Sequence, residues 1–118
     1  MLYTIDDVKV LKVPHKEEYK IWKSRLSERE VNDIKDEIRN RIVGKEVNVS
    51  SWIPGSNWTG TPFQVIYQKA CKENFELAGM CFGLFVWETL MENDEKWYFI
   101  KQKTNEEDQI EKMVYSRK

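Results

Sequence analysis

Residues 75–91 decide the fold of this chain, and their sequence is FELAGMCFGLFVWETLM. Apolar residues occupy nearly every side of a helix drawn through this stretch, in which only Glu76 and Glu88 carry charge. A helix that is apolar all round is buried, so the pattern predicts a central core helix, with Asn74 as its N-cap. The longest apolar run, 77–87, has 11 residues, well short of the roughly 20 that cross a bilayer.

Charge is distributed unevenly around this stretch, although the chain of 118 residues is nearly neutral, with 19 Lys and Arg against 20 Asp and Glu. Residues 1–47 hold 21 charged side chains, residues 48–92 hold six, and residues 93–118 hold twelve. The middle block is therefore predicted to supply the core of one domain spanning 1–118. The small net charge lacks the basic field typical of nucleic-acid binders, and an aromatic content of 13% argues against disorder.

Two more helices are predicted before the central one. Between residues 27 and 42 apolar side chains recur every three or four positions, and a shorter helix follows Pro14. Ser27 and Glu30 have the spacing of a capping box, and Gly44 suits the left-handed conformation that ends a helix. The apolar faces comprise Val31, Ile34, Ile38 and Ile42 in the longer helix, and Tyr19, Trp22 and Leu26 in the shorter one.

The remaining segments predict strands and a fourth helix. Alternation from residue 47 to 52 indicates a strand, and the sequence TPFQ predicts a helix that begins at Thr61 and runs to about residue 72. Residues 97–100 have the composition of a strand. Residues 113–115 would be its antiparallel partner.

Two segments allow two interpretations. Residues 3–13 fit a strand or a helix, and residues 105–116 fit the returning strand of the hairpin or a short helix. With either outcome the elements predict an α+β fold. In it about four helices, with 75–91 central and apolar, pack on a small, mostly antiparallel sheet.

Gly79 and Gly83 lie inside the central helix, where each glycine costs roughly 1 kcal/mol relative to alanine. We expect the close approach of another backbone, or contact with a bound ligand, to compensate for this cost. Tight packing is the simpler interpretation, because it needs no function.

The segment 50–61 has the composition most typical of a binding site. It combines two tryptophans, hydroxyl side chains and glycines in a loop leading to a helix N-terminus, where unpaired N–H groups favour anions. The residues predicted to line a site are Trp52, Ser56, Asn57, Trp58, Thr59, Thr61 and, one turn further on, Tyr67. The alternative is a rigid connection whose tryptophans fill the core and whose hydroxyls cap the backbone.

Few other residues have the potential for chemistry. Cys71 and Cys81 are too few for a secreted disulfide scaffold, and with no export signal visible they predict a cytoplasmic protein. Cys71 is the better candidate nucleophile, and Glu88 would have a raised pKa if it were buried. His15, the single histidine, is interpreted as an exposed turn residue. One histidine and two cysteines match no usual zinc spacing, so neither a metal nor a cofactor is expected.

These observations predict a non-catalytic binding domain, whose loop 50–61 holds a compact ligand, such as a small molecule or an anion, or a protein partner. A small enzyme that uses Cys71 or Glu88 is the first alternative. A homodimer formed through aromatic surface is the second. Nucleic acid and membranes are not expected as partners.

Overall fold

Residues 1–44, 47–49, 58–103 and 111–117 are described by the computed structural model of the chain. Within these ranges the helices are Lys16–Ser24 (α1), Glu28–Ile42 (α2) and Phe75–Glu92 (α3), with a π-helical turn at Ile66–Ala70. The strands are Leu2–Tyr3 (β1), Val47–Val49 (β2), Trp97–Lys103 (β3) and Glu111–Arg117 (β4). Four helical elements and a four-stranded sheet in the described ranges confirm the α+β class.

The signals at the helix ends act as predicted. The Ser27 hydroxyl accepts a hydrogen bond from the Glu30 N–H at 3.1 Å, and the Glu30 carboxylate accepts one from the Ser27 N–H at 2.9 Å. Asn74 accepts from the Leu77 N–H at 3.0 Å and caps α3. Gly44 follows α2 with a φ of 76°. These caps satisfy N–H groups that the first turn of a helix leaves unpaired.

The sheet has the strand order β1-β3-β4-β2 and is mostly antiparallel. β1 runs parallel to β3, whereas β3 pairs with β4, and β4 with β2, in antiparallel fashion. Phe99 lies opposite Tyr115 in the β3–β4 pair. The predicted hairpin is therefore confirmed, and the helical alternative for 105–116 is wrong over the described residues of β4.

Helix α3 is the centre of the core, as its apolar sequence predicts. It contacts α1, α2, the π-helical turn and β1, and the Trp87 ring lies 4.5 Å from the Phe99 ring of β3. Its buried residues are Ala78, Cys81, Phe82, Leu84, Phe85, Val86, Trp87, Thr89 and Leu90. No helix in the described ranges has both the length and the apolar character to span a membrane.

Residues 3–13 form neither a long strand nor a helix. β1 has only two residues, and the chain then turns, with the Thr4 N–H bonded to the Val8 carbonyl at 2.8 Å. The apolar side chains that a helix would bury, Ile5, Val8 and Leu11, are 69%, 60% and 75% exposed. The helical spacing of these three residues therefore does not correspond to a buried helix face.

Two details of the helices differ from the sequence-based expectation. The helix predicted to begin at Thr61 begins at Gln64, after a turn, and ends with Ala70 of the π-helical turn. A Cβ atom placed on Gly79 or Gly83 would meet no described atom within 4 Å. The close approach expected at these glycines is therefore absent from the described residues.

Candidate functional site

The predicted loop site lies only partly within the described residues, since Trp52, Ser56 and Asn57 fall outside them. Trp58 is partly buried, with its ring 5.5 Å from the Phe82 ring and 6.3 Å from the Phe63 ring. Trp58 therefore fills the edge of the core.

The Thr61 hydroxyl forms its hydrogen bonds with the backbone. The Thr61 Oγ1 donates a hydrogen bond to the Trp58 carbonyl at 2.7 Å and accepts one from the Phe63 N–H at 3.2 Å. Thr59 is exposed, and Tyr67 is partly buried against the core. These contacts fit the rigid-connection interpretation of this part of the loop, and a ligand-binding role for Trp58, Thr59, Thr61 and Tyr67 stays a prediction.

A cleft of about 370 Å³ lies elsewhere, between the segment 11–13, helix α1 and the C-terminal half of α3. We call it the lysine cleft. It is lined by Leu11, Lys12, Val13, Lys16, Tyr19, Lys20, Lys23, Glu88 and Met91. Its volume falls within the roughly 300–1,000 Å³ typical of small-molecule sites.

The sequence of α1 explains why the lysines gather there. Lys16, Lys20 and Lys23 are spaced i, i+4 and i+7, which places them on one side of a helix. Lys12, Lys16 and Lys20 are exposed, and none of the three forms an ion pair with a described residue. The cleft thus presents positive charge that no described acidic residue pairs with.

The acidic residue of the cleft, Glu88, is already paired. Its carboxylate lies 2.6 Å from the Lys35 Nζ and 3.3 Å from the Lys23 Nζ, and it accepts a hydrogen bond from the Tyr19 hydroxyl at 3.2 Å. Lys35 also contacts Glu92 at 2.9 Å. Two lysines therefore neutralise Glu88, so its charge does not cancel the positive charge at the mouth of the cleft.

The pairing with Lys35 and Lys23 determines the charge state of the Glu88 carboxyl group. Burial by itself would raise the pKa of Glu88, but the hydrogen bond and charge of Lys35, together with the charge of Lys23, outweigh burial and lower it. The raised pKa expected for a buried Glu88 is therefore wrong. Burial and the adjacent Glu88 carboxylate raise the pKa of the Tyr19 hydroxyl. The cleft wall thus carries a fixed carboxylate and a neutral phenol at neutral pH.

The two thiols lie in the core. Cys71 and Cys81 are 2% and 0% exposed. Burial raises the pKa of both, and the two side chains interact with each other. An activated cysteine nucleophile needs a lowered pKa, because the thiolate is the reactive form.

No other grouping of chemical residues stands out in the described part of the chain. His15 is exposed and adopts a φ of 50° at the start of α1. No group of three or more His, Cys, Asp or Glu side chains in the described ranges could hold a metal ion.

A second cleft, of about 400 Å³, lies near the C-terminal ends of α2 and α3. Its two arginines already have acidic partners, since Arg117 lies 3.4 Å from Glu95, and Arg39 lies 2.5 Å from Asp36. It therefore offers less free charge to a ligand than the lysine cleft, which we take as the candidate site.

The sequence-based reasoning missed the lysine cleft. The signal available was the recurrence of lysine at 16, 20 and 23 beside Tyr19, but such spacing is also typical of an ordinary solvated helix face. Comparisons with models of protein families, with curated proteins and with solved structures found no match.

Proposed function

We propose that this chain is a non-catalytic binding domain, and that the lysine cleft holds an acidic group attached to an apolar body. The observation that carries the proposal is the set of three exposed lysines, Lys12, Lys16 and Lys20, that have no ion-pair partner among the described residues and line one cleft. Lysine ammonium groups bind carboxylate, sulfonate and phosphate oxygens through charge-assisted hydrogen bonds.

The apolar part of the ligand would be held by the other walls. Leu11, Val13 and Met91 line the cleft with Tyr19, and Leu11 is 75% exposed. Burial of a ligand against these side chains would remove apolar surface from water on both sides, which favours binding in proportion to the area buried. A few charged groups set in an apolar wall are the usual composition of a ligand site.

The chemistry of the cleft favours binding over catalysis. Glu88 is held as a carboxylate by Lys35 and Lys23, so it is a poor general acid near neutral pH. The lysines can donate hydrogen bonds to a ligand, whereas the single O–H of Tyr19 already donates to Glu88.

The test uses the fluorescent probe 8-anilinonaphthalene-1-sulfonate, which joins a sulfonate to an aromatic body, and the neutral N-phenyl-1-naphthylamine as its uncharged counterpart. We expect the double substitution Lys16→Gln and Lys20→Gln to weaken sulfonate binding about threefold to thirtyfold, as the loss of two exposed charge contacts predicts. Binding of the neutral probe should change little. Fluorescence titration measures both affinities.

The matched control is Arg29→Gln with Lys96→Gln, which removes two exposed cations away from the cleft. It should leave the affinity for the sulfonate unchanged. If the cleft variant and the control bind the sulfonate as tightly as the unmodified chain does, the proposal is wrong.

A further inference from the structure

The first turns of α3 expose apolar side chains to solvent. Phe75 is 84% exposed, Leu77 36% and Met80 47%, whereas Ala78 in the same turns is 1% exposed, so one side of the start of α3 faces solvent. Glu73 and Glu76 flank these residues, and neither forms an ion pair within the described ranges. We call Glu73, Phe75, Glu76, Leu77 and Met80 the α3 tip. An exposed apolar patch of this kind, rimmed by charge, is typical of an interaction surface.

The connection before α3 has an unusual backbone conformation. Lys72 and Glu73 are consecutive non-glycine residues with positive φ, at 52° and 64°. Such residues are uncommon in the left-handed region, and here they turn the chain sharply between the π-helical turn and α3. Lys72 adds one positive charge at the base of the tip, which its two glutamates outnumber.

The tip and the lysine cleft have complementary chemistry. The cleft offers Lys12, Lys16 and Lys20, which pair with no described acidic residue, beside apolar walls, and the tip offers two carboxylates beside an exposed phenyl ring. The two surfaces lie at opposite ends of α3, because Phe75 and Met91 are 16 residues apart, or about 24 Å along the axis at 1.5 Å per residue. The tip therefore cannot reach the cleft of its own molecule.

We propose that the α3 tip of one copy docks in the lysine cleft of a second copy, with Phe75 against the apolar walls and Glu73 and Glu76 on the lysines. This proposal rests on the proposed function, because it names the acidic ligand with an apolar body as a segment of the same chain. The contact joins two different surfaces, so it is head-to-tail, and each added copy leaves a free tip and a free cleft. Association should therefore extend beyond dimers at high concentration and weaken with added salt.

The experiment is sedimentation velocity across a wide range of protein concentration at low salt. The cleft variant is Lys16→Glu with Lys20→Glu, and the tip variant is Glu73→Lys with Glu76→Lys. All four side chains are exposed, so these changes spare the core. We expect each variant alone to associate at least tenfold more weakly than the unmodified chain, because each then carries two surfaces of like charge.

An equimolar mixture of the two variants should associate again. The acidic tip of the cleft variant meets the basic cleft of the tip variant, and the reversed pair also attracts. Charge reversal elsewhere, in Arg29→Glu with Lys96→Glu, should leave association unchanged. Phe75→Ser, at a position 84% exposed, should abolish association while the monomer still binds 8-anilinonaphthalene-1-sulfonate in its free cleft.

The outcomes separate the two proposals. An unmodified chain that stays monomeric at every concentration, yet binds the sulfonate through Lys16 and Lys20, overturns the docking of a second copy and leaves the proposed function standing. Association that neither charge-reversed variant weakens, or a mixture that does not recover it, also overturns the docking. Loss of lysine-dependent sulfonate binding in the Phe75→Ser monomer contradicts the proposed function instead.

Discussion

Glu88 shows how strongly neighbouring residues determine the chemistry of one side chain. Its side chain is 18% exposed and lies between Lys35, 12% exposed, and Lys23, 31% exposed. Burial of a carboxylate is unfavourable unless a partner compensates for the lost water, and here two ammonium groups and the Tyr19 hydroxyl do so. The group is consequently a fixed charge that positions Lys23 on the cleft wall.

We predict that Glu88→Gln lowers the free energy of unfolding at neutral pH by about 1–3 kcal/mol, because it leaves the partly buried Lys23 ammonium without its carboxylate and Lys35 with Glu92 alone. The folded pKa of Glu88 is lowered below its usual 4.5. Its stabilising contribution is therefore present above the unfolded pKa and is lost as the pH falls through the folded pKa. Urea unfolding should show the difference between the two proteins shrinking as the pH falls below 4.5.

Asp33→Asn is the control for this experiment. Asp33 is an exposed acid of α2 that forms no ion pair with a described residue, so its substitution should change stability little at either pH. A difference between unmodified protein and Glu88→Gln that is constant with pH would contradict the assigned role of the Glu88 pair.

At the scale of the element, α3 tolerates two glycines that no described residue packs against closely. Gly79 is exposed and Gly83 is partly buried, and in the described structure both have room for a Cβ atom. The sequence indicates that glycine inside a helix needs a reason, but only the position of neighbouring elements shows whether another backbone comes close. In this fold none of the described elements does.

We predict that Gly79→Ala and Gly83→Ala each raise the free energy of unfolding by about 0.5–1 kcal/mol, because alanine has the higher helix propensity and loses less backbone entropy on folding. Chemical denaturation measures the change. The reverse substitution in the same helix, Ala78→Gly at a buried position, should destabilise. Destabilisation by either alanine would mean that something does pack against these glycines.

At the scale of the whole molecule, Trp87 joins parts of the chain that are far apart in sequence. Its indole N–H donates a hydrogen bond to the Lys12 carbonyl at 3.1 Å, across 75 residues. On the sheet side its ring packs against Phe99. The residue therefore holds the segment 11–13, one wall of the lysine cleft, against α3.

We predict that Trp87→Phe lowers the free energy of unfolding by about 1–3 kcal/mol, through the lost hydrogen bond and the smaller ring. It should also speed hydrogen exchange at the Val10 N–H, which bonds to the Leu2 carbonyl at 2.8 Å, because the attached segment loosens. Native-state exchange followed by NMR measures this. Trp22→Phe, in the buried face of α1, should lower stability without selectively exposing that amide.

The sequence by itself determined the fold class and the three α-helices, because their signals are local. Apolar spacing of three and four residues, the Ser27 box and the Asn74 cap each act within a few residues of chain. Residues 3–13 and 105–116 each fitted two structures. Pairing of β4 with β3 decided the second case, whereas in the first only the two residues of β1 pair with β3 before the chain turns. Such pairing depends on residues that are distant in sequence.

Only the tertiary structure located the lysine cleft and fixed the charge of Glu88. The cleft combines residues 11–13, one face of α1 and the last turns of α3, and the Lys23–Glu88 pair spans 65 positions. Electrostatic effects depend on the distance between groups and on how much water is excluded between them. The sequence alone contains neither quantity. The lysines of α1 therefore resemble an ordinary solvated surface in the sequence, and only folding places an apolar wall beside them.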